Sequence, residues 1–400
     1  MALVDMRDML NHAYENRYAV GAFDLVSLDF LEAVIGAAER CRAPVILSVA
    51  EPHFAHYDFE LMMPAVEAAA RRASVPVAIQ LDHGSGLASA IQAIRLGCNG
   101  VMLDASDMSL PDNIEITRAV VETAHACGIP VVGEIGYVAG QEGEGASQHP
   151  GQTALTIPSE AKAYVERTGV DFLAVSIGTV QGRMKGRAKL DFQRLKQLHK
   201  TIDIPLVIHG GSGLNADQYR RLTALGIAKI NYFTALSDVA AATMRQRMKV
   251  DKQGGFTDLK QGVKEAIGLE VEACLRMWGT AGRAAEVSAQ CNPVKLVEQL
   301  MAFKLTLEDA QASPLLAKAQ QVMAAIPGVR EVFIGKTLCP DSPYRFNWRI
   351  VFCNETALEA FQHHPDHTAF MKHFLRPHIS KHFTLESRDA QHDELFKGIL

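Results

Sequence analysis

Eight short apolar runs separated by longer amphipathic stretches fill the chain from Ala19 to Phe233, and this alternation constrains the fold more than any other feature. The runs are AVGAF (19–23), PVILSV (44–49), VPVAIQL (75–81), GVMLDA (100–105), IPVVGEI (129–135), DFLAVSI (171–177), IPLVIHG (204–210) and IAKINYF (227–233). Several are almost continuously apolar, the pattern of parallel strands buried on both faces. The stretches between them, such as SLDFLEAVIGAAERC and NIEITRAVVETAHACG, have helical periodicity, and the second ends at a glycine suited to a C-cap. Strand–helix repetition predicts an α/β fold, and a count of eight favours a closed (β/α)8 TIM barrel. A doubly wound open sheet would have the same order. No G-x-G-x-x-G follows the first strand, however, so its dinucleotide-binding version lacks an anchor.

A barrel of this kind needs about 250 residues, and the chain has 400. Residues 234–284 read as helical and complete a barrel domain over 1–285, with 286–295 as a linker. A different pattern follows: a strand at 297–305, a helix at 313–328, strands at 329–338 and 345–353, a helix capped by Asn354, and a strand at 381–389. This βαββαβ order predicts a small ferredoxin-like α+β domain over 296–392. The 48% hydrophobic and 21% charged residues suit a water-soluble protein with ample core. A net charge of −5 argues against nucleic acid as a partner. Seven scattered cysteines with no CxxC pair read as reduced thiols. The N-terminus has early acids and no apolar core, and no run of about 18 apolar residues occurs. A cytoplasmic protein without membrane contact is expected.

In a β/α barrel the chemistry comes from the C-terminal strand ends. That rule selects Asp24, Glu51, Asp82, His83, Asp104, Glu134, Gln181, His209 and Asn231. One histidine after a strand means little, since imidazole readily satisfies itself against backbone; the joint placement carries the case. Asp82 and His83 are adjacent, and successive strand residues face opposite ways. Both reach the mouth only if the strand stops there, which Gly84-Ser85-Gly86 suggests. The IHGGSG stretch places His209 beside backbone N–H groups able to approach an anion, near Gly182, Asn231 and Thr234. The acidic loop GQEGEG (140–145) reads as a surface turn or as a mobile loop delivering a carboxylate.

The blocks YAVGAFD, PVAIQLDHGSG, NGVMLDAS, VVGEIGYVAGQEGE, GVDFLAVSIGTVQG, IPLVIHGGSGL and GIAKINYFTA resemble, in order and spacing, the class II metal-dependent ketose-bisphosphate aldolases. The C-terminal stretches IPGVREVFIGKTL, RFNWRIVF, ETALEAFQHHPDHTAF and LRPHI resemble the Dabb (stress-responsive α/β-barrel) domain, whose members pair their sheets into dimers. The first resemblance implies a C–C lyase acting on an anionic ketose through a metal-stabilised enediolate. It implies His83 and His209 as metal ligands, with Glu134 near or on the metal. Asp82 would be the acid/base at the substrate hydroxyl beside the broken bond, and Glu142 the mobile-loop proton-transfer carboxylate. Asp104 would sit at the polar mouth, and Gly182, Gly210, Ser212, Asn231 and Thr234 would bind phosphate. The second implies a homodimer or homotetramer assembled partly by the C-terminal domain.

Several positions depart from the family pattern. Gln181 replaces a metal histidine, Val132 an acid on strand five, and Asp24 an asparagine after strand one. Glu51-Pro52-His53 intervenes after strand two, and bulky Tyr232 and Phe233 end strand eight. Glu51, His53 and Asp24 are therefore candidates for contacts to a non-standard substrate. Zinc is expected from the resemblance; the amide of Gln181 makes Mn²⁺ or Mg²⁺ alternatives. A sugar-phosphate sensor or scaffold without catalysis, or a Schiff-base aldolase using Lys229, are the competing readings.

Overall fold

The computed structural model describes residues 2–138, 147–148, 154–184 and 189–388. The main division of the chain into two compact units falls between Pro293 and Val294. In the first unit β1 (Val20–Asp24), β2 (Val45–Ala50), β3 (Val77–Gly84), β4 (Gly100–Leu103), β5 (Val131–Ile135), β6 (Phe172–Val175), β7 (Leu206–Ile208) and β8 (Ile227–Tyr232) form a closed parallel barrel. Each strand pairs with its neighbours in sequence, and β8 closes on β1 from Val20↔Lys229 to Phe23↔Tyr232. The barrel expected from eight apolar runs is present.

Two-residue alternation sorts each strand's inward side chains by height. Low in the barrel, Ala22, Ile46, Ala78, Met102, Val132 and Ala174 belong to one apolar cluster. Two positions further along the same strands stand Asp24, Ser48, Gln80, Asp104, Glu134 and Ser176. The interior is thus apolar at the start of the strands and polar at their ends. A helix the sequence reading did not anticipate, Met6–Glu15, supplies Met6, Met9, Leu10 and Ala13 to the apolar cluster. Its N-cap, Asp5, accepts a hydrogen bond from the backbone N–H of Arg7. Asn99 ties this segment to the barrel, donating to the Val4 carbonyl (2.6 Å) while accepting from Ile79 N (2.7 Å).

The region after β8 is less continuous than expected, with helices at Thr234–Val250, Phe256–Leu259, Val263–Met277 and Ala284–Gln290. The stretch 286–295, read as a linker, therefore begins inside a helix. Val287 and Cys291 explain why, since both are buried in the cluster beneath the barrel.

The second unit contains β9 (Val297–Leu305), a helix (Asp309–Ala324), β10 (Val329–Lys336), β11 (Phe346–Phe352), a helix (Glu355–His363) and β12 (Ile379–Arg388). Its antiparallel sheet has the order β10-β11-β9-β12, the ferredoxin-like arrangement. Phe346, Trp348 and Ile350 point to the buried face, while Arg349 faces outward to Glu298 and Glu331. Asn354 caps its helix as the sequence suggests, accepting from Ala357 N. His363 and His367 use Nδ1 on backbone carbonyls, so they join no metal-capable group among the described residues. No described helix is long and apolar enough to cross a membrane.

Leu10→Ala should empty a fully buried position beneath the barrel and cost roughly 2–5 kcal/mol, whereas exposed Asn11→Ala should stay within about 0.5 kcal/mol. Thermal denaturation of the two variants side by side checks the difference. Equal melting temperatures would show that the helix does not support the barrel.

Candidate active site at the barrel mouth

The site begins with an irregularity in β3. Against β2 the strand runs in step as far as Ala50↔Asp82, but against β4 the register passes from Leu81↔Val101 to Gly84↔Leu103. One extra residue is therefore accommodated on β3, a β-bulge. His83 takes a left-handed backbone conformation there (φ 48°), a cost of order 1–3 kcal/mol for a residue with a side chain. The strand does not stop at Asp82, as the sequence reading required. It bulges, and so the adjacent Asp82 and His83 both reach one cavity. Gly84 completes the bulge, since a Cβ there would lie 2.7 Å from the Met102 carbonyl oxygen.

His83 is fixed from both ring nitrogens. Its Nδ1 lies 2.7 Å from Asp104 Oδ2, which leaves Nε2 turned toward Asp82 Oδ2 (3.8 Å) and the Gln181 side-chain amide (3.2 Å). Burial alone would raise the Asp104 carboxyl, but the His83 ring and the Ser106 hydroxyl and N–H outweigh it and hold it well below the usual range. Asp104 thus grips the metal-candidate imidazole from behind, a more specific placement than the polar mouth residue expected from sequence.

From β7, His209 brings its ring to 4.6 Å from that of His83, centroid to centroid, and its Nε2 to 3.8 Å from Glu134 Oε2 of β5. All of these side chains except that of Asp104 are buried or nearly so. Asp82, His83 and His209 each offer a donor atom within 4.8 Å of the others, as do His83, Asp104 and Glu134.

A buried chain of hydrogen bonds fixes Asp82. Lys229 Nζ donates to Asn231 Oδ1 (2.6 Å), Asn231 Nδ2 donates to Asp82 Oδ2 (2.5 Å), and Gln80 Nε2 donates to Asp82 Oδ1 (3.2 Å). Lys229 Nζ also lies 3.9 Å from Asp82 Oδ1, with both side chains fully buried. Gln80 was not selected from sequence, and Lys229 only as a Schiff-base candidate, although both stand two residues from a selected position and so share its inward face. Asn231, expected at the phosphate, has its amide engaged within this chain.

The anion end is formed by backbone. Gly210 (φ 67°) follows His209, and a Cβ at this position would lie 2.1 Å from the Val180 carbonyl oxygen, so only glycine fits. Ser212 Oγ accepts from Ala235 N in the first turn of the helix that starts at Thr234. Gly182 also has a positive φ, at 82°. Glu51 faces elsewhere, accepting from Ser85 N and Ser85 Oγ (both 2.7 Å) and bracing the turn after β3. Asp24 is fully buried at the end of β1. His53 packs on Phe233 at 4.4 Å. Tyr232, one of the two bulky residues that end strand eight, turns outward, donating to Glu270 and packing on Trp278. Glu142 lies outside the described residues.

Residues 4–283 match the family Fructose-bisphosphate aldolase class-II, and residues 297–389 the Stress responsive A/B Barrel Domain, or Dabb. The chain belongs to the class II fructose-bisphosphate aldolase family. It is 37% identical over 296 residues to a fructose-bisphosphate aldolase of Geobacillus stearothermophilus, covering 72% of this chain and all of that one. A probable fructose-bisphosphate aldolase of Bacillus subtilis (strain 168) is 37% identical over 289 residues, 71% of this chain and all of the relative. Among solved structures, the YdjI aldolase of Escherichia coli K12 superposes with a TM-score of 0.63 at 31% identity, over 70% of this chain and 99% of that one. The protein is therefore an aldolase-type C–C lyase with a Dabb domain attached.

Gly210→Ala should lower stability by more than the roughly 1 kcal/mol that loss of glycine's conformational freedom alone would cost, because the Val180 backbone must also move. A melting temperature equal to that of the unaltered protein would show that the loop closes differently.

Proposed function

We propose that the barrel is a divalent-metal-dependent aldolase that cleaves and forms a phosphorylated or otherwise anionic ketose of non-standard structure. The observation that carries this reading is the meeting of Asp82, His83 and His209 within 4.8 Å. Two ligands about 2.1 Å from one ion stand at most roughly 4.2 Å apart, so a slight contraction would bring the two imidazoles into coordination with Asp82 beside them. His83 and His209 would hold the cation through nitrogen, with Glu134 and the amide oxygen of Gln181 completing the set. Zinc is the metal of first choice, and the oxygen share of this set also suits Mn²⁺ or Mg²⁺. When bound, the cation supplies Lewis acidity at the substrate's keto oxygen.

The chain's own groups do the remaining work. Asp82, oriented by Asn231, Gln80 and Lys229, takes the proton from the hydroxyl of the carbon being released. Glu142 returns or removes a proton at the ketone fragment. Gly182, Gly210, Ser212 and Thr234 present backbone and hydroxyl donors to the anionic end, aided by the N-terminus of the Thr234–Val250 helix. Asn231, expected from the resemblance at that end, also orients Asp82.

The C-terminal sheet supports assembly with a second copy of the chain. Leu300, Phe333, Phe383 and Leu385 lie 40%, 53%, 51% and 49% exposed. Strand pairing places Leu300 opposite Leu385 and Phe383 opposite Ala302 on one face. None of the seven cysteines forms a disulfide, which supports a cytoplasmic setting.

Chelator should abolish cleavage of anionic ketoses, and one divalent ion should restore it; Gln181→His should raise the retained zinc. Full activity in metal-free protein would end the proposal, and substrate binding without turnover would favour a sensor. Asp82→Asn should slow cleavage by roughly 10²–10⁴ but keep deuterium exchange into the isolated ketone fragment, while Glu142→Gln should lose both. For assembly, Phe333→Glu should shift the particle to smaller mass in light scattering; an unchanged mass would remove this sheet face from the interface.

A further inference from the structure

The barrel rim has two unlike sides. The metal-capable donors come from β3, β4, β5 and β7, and the anion-binding loop follows β7. On the remaining arc, where β8, β1 and β2 are neighbours, a half-open cavity of about 310 Å³ is lined by Val26, Phe30, His53, His56, Phe233 and Met244 among others. Val26 stands two residues beyond Asp24, Phe233 two beyond Asn231, and His53 three beyond the last residue of β2. The cavity thus lies on the arc of the rim away from the metal-capable donors, along the first turns of the Thr234–Val250 helix whose start borders the anion end.

Its lining contains no lysine, arginine, aspartate or glutamate. Phe233 is the hub, with the His53 ring at 4.4 Å and Phe30 at 6.2 Å. His53 and Phe233 are 2% and 6% exposed, so these rings form a built wall of the barrel rim. A second phosphate would meet no cation here. An uncharged group would gain burial against three rings, with His56 and Ser237 able to satisfy an occasional hydroxyl. A volume near 300 Å³ accommodates a six-membered ring with a short chain.

We infer that this cavity receives an uncharged apolar end of the ketose, the aldehyde-derived half, so that the preferred substrate carries one anionic group and an apolar tail. The inference rests on the aldolase reading above. Cleavage separates the ketose into two parts: the ketone half is held by the cation and the anion loop, which leaves the aldehyde half directed toward β1 and β2.

The test is the condensation of dihydroxyacetone phosphate with phenylacetaldehyde and, separately, with glyceraldehyde 3-phosphate, using the full metal-loaded chain. The expected kcat/KM is at least ten-fold higher for phenylacetaldehyde, since one methylene in a fitted pocket is worth roughly that factor. Ala241→Trp, which fills the cavity from the Thr234–Val250 helix, should reduce that ratio at least ten-fold. A preference for glyceraldehyde 3-phosphate, or a ratio indifferent to Ala241→Trp, overturns the inference. Deuterium exchange into dihydroxyacetone phosphate alone, with no aldehyde present, reports the aldolase reading separately. Saturation-transfer NMR with 2-phenylethanol needs neither turnover nor metal: a signal lost in Ala241→Trp supports the cavity, and no signal, or an equal one, overturns it. Circular dichroism establishes that the variant is folded.

Discussion

The left-handed turn at His83 is the constraint on which the site depends. A regular strand would send either Asp82 or His83 out of the barrel, because consecutive side chains alternate. The bulge between Leu81 and Gly84 removes that choice and sets an acid/base candidate beside a metal-ligand candidate on one strand. Its conformational cost, of order 1–3 kcal/mol, is offset locally by the Asp104–His83 hydrogen bond and by Glu51 bracing the turn through Ser85. The second support explains an acid that looked like a substrate contact in the sequence. Glu51 holds the shape of the β3 turn beside the candidate site.

Burial of the Lys229 and Asp82 charges is tolerated because Asn231 is hydrogen-bonded to both. Lys229 and Asp82 are both fully buried, a pairing that would cost several kcal/mol if either partner were removed. Asn231 and Gln80 complete the chain with amide donors, so the Asp82 carboxylate is held in one orientation before substrate arrives. Rigidity at this point is affordable because the lower barrel is filled with apolar side chains and the Met6–Glu15 helix.

The fold was largely legible in the sequence because parallel strands buried on both faces leave continuous apolar runs, and eight of them leave few alternatives. The strand ends also identified the residues that converge, since inward alternation and the position of the mouth are set by the barrel itself. What the sequence concealed was orientation at single residues. Nothing in IQLDHGSG distinguishes a strand that stops from one that bulges, because both use glycine. Tyr232 and Phe233 look equally bulky, yet alternation sends Tyr232 outward to Trp278 and Glu270. The helix at Met6–Glu15 is hard to see in the sequence because its apolar residues are few, and their burial comes from the barrel above them.

The same comparison shows why membership of a family does not by itself fix the substrate. The candidate metal-holding and proton-transfer groups come from β3, β5 and β7, and on β3 Asp82 and His83 are held by buried hydrogen bonds, so a change there would disturb several partners at once. The arc formed by β8, β1 and β2 is built from loop residues and the first turns of helices, where substitution alters shape with little effect on the barrel. His53 and Phe233 lie in that arc and pack on each other, each from a segment that departs from the family pattern. Two departures that meet in space change one property, the polarity of a single wall on that arc.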